Sequence, residues 1–320
     1  MGIDRVTLKQ LRALTAVARS GTIAGAAKYL HLTAPAVSMT LRQLGDVVEM
    51  PVLERREGVF LLTDAGRSVI DVANRIEGAF RDCDNALFAL KGLGEGSVRV
   101  GVVSTAKYFA PYLLAAFRRG YPQIDIVLRV GNRDETVAEL EDFSLDLAVM
   151  GRPPQRIEVE LKPIGPHPHV IIAAPDHGLA KRNSLSLSEL AAETFLLREP
   201  GSGTRKLCEN LLAGMNAQPR IGMEMSSNET IKQSVMAGLG VALISAHTVA
   251  NEIADGRLAV LDVQGTPVMR EWYAVRRRQK PLMPAVQVLW NFIIEVGQSF
   301  LPEMASSTGQ KSSFQSKKFD

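Results

Sequence analysis

Cysteine is nearly missing from this chain. Cys83 and Cys208 are the only two among 320 residues. Neither a disulfide framework nor a cysteine-based zinc site is expected, and both read as buried thiols. No apolar run approaches the ~18 residues that a membrane span needs, and the opening MGIDRVTLKQLRAL does not read as a signal peptide, so a cytoplasmic protein is expected. Catalytic signatures are missing as well. There is no G-x-S-x-G elbow and no G-x-x-x-x-G-K phosphate loop, and Gly201-Ser202-Gly203 is not a nucleophile elbow. No enzyme and no cofactor are expected. His167, His169 and His177 with Asp176 are conceivable metal ligands, but the first two flank Pro168 and spacing fixes no clear fourth ligand, so no metal site is expected.

Charge of one sign is scarce too: 37 Lys and Arg face 34 Asp and Glu, a net +3. The distribution is more informative. In residues 1–45, Arg5, Lys9, Arg12, Arg19, Lys28 and Arg42 face the single acid Asp4, which is six minus one, or +5. A phosphate backbone attracts such a patch, although a solvated helical surface looks the same. The length suits two or three domains, and 46% hydrophobic with 22% charged residues is ordinary for a globular protein.

The first segment reads as helical. Leu8, Leu11, Leu14, Val17 and Ala18 recur at helical spacing, and Gly21-Thr22 breaks the pattern. Thr22 is suited to cap a second helix through Ile23, Ala26, Ala27 and Leu30. After the short turn His31-Leu32, Thr33 caps a third helix that carries Pro35 in its first turn and runs to about Val48. Val52–Arg55 and Val59–Leu62 read as a hairpin around Glu57-Gly58. Thr63 then caps a long helix to about Lys91. In it Val69, Ala73, Ile76, Phe80, Cys83, Leu87 and Leu90 alternate steps of four and three, the spacing of a dimerising coiled-coil seam. The alternative is an amphipathic face packed on its own domain.

Gly92, Gly94 and Gly96 suggest a hinge. Beyond it, expected strands at Val98–Val103, Ile124–Val130, Leu145–Met150, Val170–Ala174, Phe195–Leu197, Val241–Ser245, Leu258–Val263 and Trp272–Val275 alternate with helices such as Tyr108–Arg119, Thr136–Asp142, Arg205–Gly214 and Glu229–Gly238. That alternation means an α/β sheet with ligands at the carboxyl ends of strands. Proline-rich Pro163–Pro168 and Gln264–Pro267 suit crossovers between two lobes. The tail from about Ala305 is polar and of low complexity, and disorder is expected there.

The stretch TLKQLRALTAVARSGTIAGAAKYLHLTAPAVSMTLRQLG, followed by VLERREGVFLLTDAGR, closely resembles the head of LysR-type transcriptional regulators. The resemblance extends to about residue 303. Within the back half, VSTAKYFAP (103–111), GNRDE (131–135), MGRPP (150–154), REPGSGTR (198–205) and SNETIKQ (227–233) are similar to the CbbR-type regulators of Calvin-cycle (RuBisCO) operons. Regulators of inorganic-carbon uptake, or of an unrelated pathway, are the alternatives. The resemblance implies a winged helix-turn-helix at 1–63, a linker and dimerisation helix at 64–92, and a two-lobed α/β effector domain like periplasmic binding proteins at 97–303. Lobe I would comprise 97–166 and 267–303, lobe II 167–266, and 304–320 a disordered tail.

Matched onto the family pattern, the DNA-contacting positions are Thr22, Thr33, Ala34, Pro35, Ala36, Ser38, Met39 and Arg42, with Arg55 of the wing on a phosphate. Many family members carry glutamine where Ala34 stands and arginine where Met39 stands, so readout would rest more on thymine methyls and DNA shape. Packing within the head is the other reading of Met39. In the effector domain, Ser104-Thr105 and Gly201-Ser202-Gly203-Thr204 each follow a strand and open a helix, a setting that favours anions. Arg133, Arg152, Arg198 and Arg205 would add bidentate contacts, and Asn228 lies at a third helix start. Plain capping is the duller explanation for the hydroxyls. The implied partners are an interrupted palindromic DNA operator, a small anionic metabolite, and a second copy of the chain as dimer or tetramer. Contact with RNA polymerase is compatible with this, and no membrane partner is expected.

Overall fold

The computed structural model describes residues 2–90, 96–214 and 219–303. The expected hinge at Gly92 and Gly94, the side chain of Leu90 and the expected tail from 304 lie outside the described residues. Two compact units are distinguished: residues up to Lys91 together with Asp142–Ser144, and the remainder.

The first unit is built from α1 (Leu8–Ser20), α2 (Ile23–Leu30), α3 (Ala34–Val48), the antiparallel hairpin β1 (Leu53–Arg56) and β2 (Val59–Leu62), and α4 (Asp64–Leu90). Each boundary has a local cause. Thr7 and Gln10 form a capping box on α1, and Gly21 ends that helix with φ +68°. Thr22 Oγ1 accepts from Gly25 N at 3.1 Å and Thr63 Oγ1 from Gly66 N at 3.0 Å. Thr33 caps α3, and Pro35 is tolerated in its first turn. His31, in the left-handed region at φ 54°, makes the tight turn between α2 and α3. The helices close on Leu14, Val17, Ala26, Val37 and Leu44, all fully or nearly fully buried. The hairpin is tied down where Phe60 N donates to Gly21 O at 2.9 Å.

The second unit contains β3 (Gly96–Val103), α5 (Ala110–Gly120), β4 (Ile124–Gly131), α6 (Arg133–Glu141), β5 (Leu147–Met150), β6 (Val159–Ala173), β7 (Thr194–Arg198), α7 (Gly203–Ala213), β8 (Arg220–Met225), α8 (Asn228–Met236), β9 (Ala242–Ser245), α9 (Ala250–Ala254), β10 (Ala259–Val260), β11 (Val268–Arg277) and α10 (Pro284–Val296). One mixed sheet runs in the order β10-β6-β11-β5-β3-β4, with β9 also on β6; β7 and β8 form a parallel pair of their own. One core gathers Val98–Val102, Phe109–Phe117, Leu145–Met150, Trp272 and Leu289–Ile293. Separate cores surround Ile171, Phe195 and Leu243, and Ile172, Ile231 and Ile244. These are two lobes, and β6 and β11 pass through both.

Three details differ from or refine the sequence reading. Pro163–Pro168 lies within the 15-residue strand β6, which passes through both lobes. It is tolerated because β9 and β10 pair only with residues 169–173, so this stretch has β11 alone as neighbour and a bulge at Trp272/Tyr273 absorbs the misfit. Leu258–Val263 shrinks to the two-residue β10. β8 is not expected from the sequence, because Arg220–Gly222 and most of the residues after it are exposed and leave no alternating pattern.

Candidate functional site

On the head, α3 turns Val37, Thr40, Leu41 and Leu44 inward. The opposite face leaves Thr33, Ala34, Pro35, Ser38, Met39 and Arg42 exposed, while Ala36 is half-buried. Met39 is 61% exposed, so the packing reading of this residue is wrong. Thr22 stands exposed at the start of α2. Arg55 projects from the hairpin with its guanidinium 5.8 Å from the centre of the Phe60 ring. Together these leave an exposed, mildly cationic set of residues around a helix of major-groove size.

The seven heptad residues of α4 divide. Val69 and Ala73 belong to the core of the head and Ile76 packs against it. Their spacing serves the domain's own amphipathic packing. Farther along, Phe80 is 44% and Leu87 51% exposed. Cys83 is exposed and corrects the buried-thiol expectation, whereas Cys208 is buried and burial pushes its thiol up to about 12.

In the second unit a cleft of about 390 Å³ lies between the lobes. Ser104 and Thr105 line it from the end of β3, Arg133 from the start of α6, and Arg152 from the loop after β5. Ser202, Gly203 and Thr204 line it from the start of α7, and Arg198 from the end of β7. Residue stretches far apart in sequence thus meet. Arg270 of β11 joins them, as do His167 and His169 of β6. Arg133, Arg152, Arg198 and Arg270 are the cations of the wall, and among the described residues no carboxylate lines it, although Asp134 and Glu199 stand beside it as ion-pair partners of Arg133 and Arg198.

Arg198 is 2% exposed. Its Nε and Nη2 donate to Glu199 at 2.7 and 2.8 Å, Nη2 also donates to Ser104 Oγ at 3.0 Å, and Nη1 donates to Asn228 Oδ1. The guanidinium therefore bridges the lobes. Ser104 and Thr105 do not cap the following helix, since Thr105 makes no capping bond and a short 3-10 turn, Ala106–Tyr108, intervenes before α5. Ser202, by contrast, does cap α7 by accepting from Arg205 N at 3.5 Å. Arg133 is held by the carbonyls of Arg152 and Pro153 at 3.1 and 3.3 Å. Arg270 is pushed below the ordinary arginine range by burial, then by Arg152 and Arg133. Asp134 at 3.0 Å and Glu199 at 2.7 Å offset Arg133 and Arg198, and Arg152 and Arg270 add further positive charge to the wall.

His167 and His169 line the cleft. Trp272 lies 3.7 Å from the His167 ring, nearly parallel at 16°. Burial holds His167 well below the ordinary imidazole value, His169 at about 3 and His247 at about 4, so all three are neutral near pH 7. Trp272 Nε1 donates to His247 Nδ1 at 3.0 Å.

Not every expected contact reaches the cleft. Gly201 sits at its outer mouth, where its carbonyl accepts from Asp134 N at 3.3 Å. Asn228 acts behind the wall, through Arg198. Arg205 is absorbed by Glu209, Glu224 and the Arg198 carbonyl. Sequence reasoning missed Arg270 and weighed His167 and His169 only as metal ligands. His177 pairs with Glu193 at 3.2 Å. Among the described residues no cluster of three or more His, Cys, Asp or Glu is arranged to hold a metal. No helix among them is long and apolar enough to cross a membrane.

Comparison with known proteins agrees with this geometry. The profile of the LysR substrate binding domain matches residues 91–298, and that of the bacterial regulatory helix-turn-helix protein, lysR family, matches residues 8–67. The chain belongs to the LysR family. It is thus a DNA-binding transcriptional regulator with a helix-turn-helix head and an effector-binding domain. The HTH-type transcriptional regulator CbbR of Xanthobacter flavus is 49% identical over 305 residues, covering 95% of this chain and 92% of that protein. The RuBisCO operon transcriptional regulator of Allochromatium vinosum is 43% identical, covering 90% and 96%. Among solved structures, the regulatory domain of Synechocystis PCC6803 CcmR in complex with 2-PG superposes with a TM-score of 0.61 at 35% identity, covering 63% of this chain and 97% of that one.

Proposed function

We propose that this LysR-type regulator controls carbon-fixation (RuBisCO, Calvin-cycle) genes. Its effector is a small phosphorylated acid bound in the inter-lobe cleft. The observation that carries the effector assignment is a wall with four arginines and no carboxylate. Charge-assisted bonds from guanidinium groups are the strong, geometrically selective way to hold phosphate and carboxylate oxygens. The hydroxyls of Ser104, Thr105 and Thr204 and the free N–H groups at the start of α7 supply further donors. The relatives named CbbR and the 2-PG complex of CcmR support the pathway and the ligand class.

On the DNA side, Thr33, Ala34, Pro35, Ser38, Met39 and Arg42 face the major groove of an interrupted palindrome, with Ala36 at the edge of the contact. Thr22 and Arg55 hold phosphates. The exposed part of the α4 seam, Phe80, Cys83 and Leu87, pairs two copies. The protein acts in the cytoplasm and has no catalytic role. Effector binding changes DNA affinity only insofar as it favours one lobe arrangement over another.

Calorimetry on the full chain tests this with 2-phosphoglycolate, phosphoenolpyruvate, ribulose bisphosphate, NADPH and, as a control, unphosphorylated glycolate. Micromolar binding of one phosphorylated acid, about −8 kcal/mol, with none of glycolate, is the expected result. Equal binding of glycolate, or none of any phosphorylated member, rejects the effector assignment.

A further inference from the structure

One wall residue is chemically unfinished. His167 is 3% exposed, and its Nε2 is engaged with Ser245 Oγ at 3.0 Å, but its Nδ1 is buried with no hydrogen-bond partner. Leaving a buried polar atom without a partner is unfavourable, so it signals either a role or an absent partner. Nδ1 points toward Gly151, which also lines the cleft: a Cβ added there would come within 2.5 Å of that nitrogen. Glycine at 151 keeps the nitrogen uncovered by a side chain on that side.

The surroundings decide the charge of the ring. From its own strand His167 faces His169, centroids 4.2 Å apart; from β9 it faces Ser245, and from the turn after β9 it faces His247 at 5.9 Å. From β11 come Arg270, directly opposite in register, and Trp272 in stacking contact. The loop after β5 brings Arg152 into the same wall, with Arg133 beside it. No acid is in this set. In the empty cleft a charged imidazolium would therefore be repelled by arginines and poorly solvated, which agrees with the low proton affinity noted above. An anion in the cleft reverses both effects. It offsets the arginines and gives Nδ1–H an acceptor, while the indole face of Trp272 favours a cation stacked on it.

Resting on the effector reading above, we infer that His167 is a ligand-contacting residue that takes up a proton together with the effector's anionic group, so that the regulator binds its effector more tightly at lower pH. The step balances as protein plus anion plus one proton from solvent giving the complex. The proton leaves both ring nitrogens as donors, Nε2 to Ser245 Oγ and Nδ1 to the ligand. A linked proton strengthens affinity by at most about tenfold per pH unit, within the window between the proton affinities of the free and bound forms.

Phosphate titrates in the same range, so the test pairs 2-phosphoglycolate with inorganic sulfate, whose charge is constant from about pH 6 to pH 8. Both are titrated into the full chain by calorimetry, in two buffers of different ionisation heat. The expected result is sulfate affinity that rises severalfold from pH 8 to pH 6, with net proton uptake in the buffer comparison. In His167→Gln the sulfate affinity becomes flat with pH and the uptake vanishes. The buffer comparison on the unmodified protein keeps the test decisive even if that variant does not fold. Sulfate and 2-phosphoglycolate binding without proton uptake overturns the inference and leaves the anion cleft standing. Binding of neither overturns the cleft reading itself, and the inference with it.

Discussion

The head and the cleft both carry arginines, yet they hold them in opposite ways. On the head, Arg42 and Arg55 are exposed to water. In the cleft, Arg198 is buried and engages Glu199, Ser104 and Asn228 at once. An exposed cation gains little from any single contact and is screened by salt, so it contributes additively and with little regard to sequence. A buried, hydrogen-bonded guanidinium has already lost its water. It therefore discriminates strongly, and its removal leaves its partners unsatisfied. On the proposed function, this contrast combines a tolerant grip on a long polymer with a selective grip on a small molecule.

The largest expected effect tests the buried side. Arg198→Leu leaves Glu199 and Asn228 without their partner and removes a lobe-bridging bond. Effector affinity should fall at least about 100-fold, in keeping with the ~3–5 kcal/mol typical of breaking a buried pair, as read by calorimetry. A loss below tenfold would erase the proposed distinction between the two surfaces.

Acid should separate the two units next. His169 and His247 are neutral in the fold with values of about 3 and 4, below the ordinary 6.5. The unfolded chain then binds protons that the native state refuses. Stability is full above about pH 6.5 and is lost as pH falls toward 4, by roughly 2 kcal/mol per histidine at pH 5. Thermal melts from pH 7 to pH 5 should show the effector unit weakening while the head, whose single histidine His31 is exposed, holds. Equal weakening of both would argue against buried neutral imidazoles.

Along α4 a similar contrast operates over a shorter distance. Val69→Ala should destabilise the head by about 1–2 kcal/mol through a small core cavity, measured by its melting transition. Phe80→Asp and Leu87→Asp should leave that transition in place and shift the protein toward monomer in light scattering. A dimer unaffected by both aspartates would move the seam elsewhere.

The smallest effect belongs to the exposed cations. Arg55→Ala should weaken binding to operator and unrelated DNA alike and lower the salt slope by about one unit. Arg42→Ala should instead lose the operator more than unrelated DNA. Filter binding at several salt concentrations reads both, and a selective loss in Arg55→Ala would place it on a base.

Much of the head is legible in its sequence. Thr22, Thr33 and Thr63 are caps at the positions where helical periodicity begins, and Gly21 stops α1, because capping is satisfied within three residues of chain. The cleft is half legible. Ser104, Thr105, Arg133, Arg152, Ser202, Gly203 and Thr204 are all expected and all meet there, as they lie at strand ends or helix starts. Arg270 is not expected, since nothing local sets it apart from the other arginines. It reaches the wall because β11 pairs with β6 so that Arg270 stands opposite His167, a neighbour far away along the chain. Asn228 is expected in the wall and lies behind it for the same reason in reverse, since Arg198 occupies the space between.

Periodicity and caps along the chain were enough to determine most element types and the helix-turn-helix, because each depends on residues within a few turns of one another. Tertiary structure alone decided which face of a regular pattern is buried. The unbroken heptad of α4 is core at Val69 and Ala73 and surface at Phe80 and Leu87, since burial depends on what packs alongside, not on spacing. It also decided which cations are dry and which histidine is left with an unanswered nitrogen. Desolvation and hydrogen-bond satisfaction are set by the whole surrounding shell, and that shell is assembled from segments the chain keeps far apart.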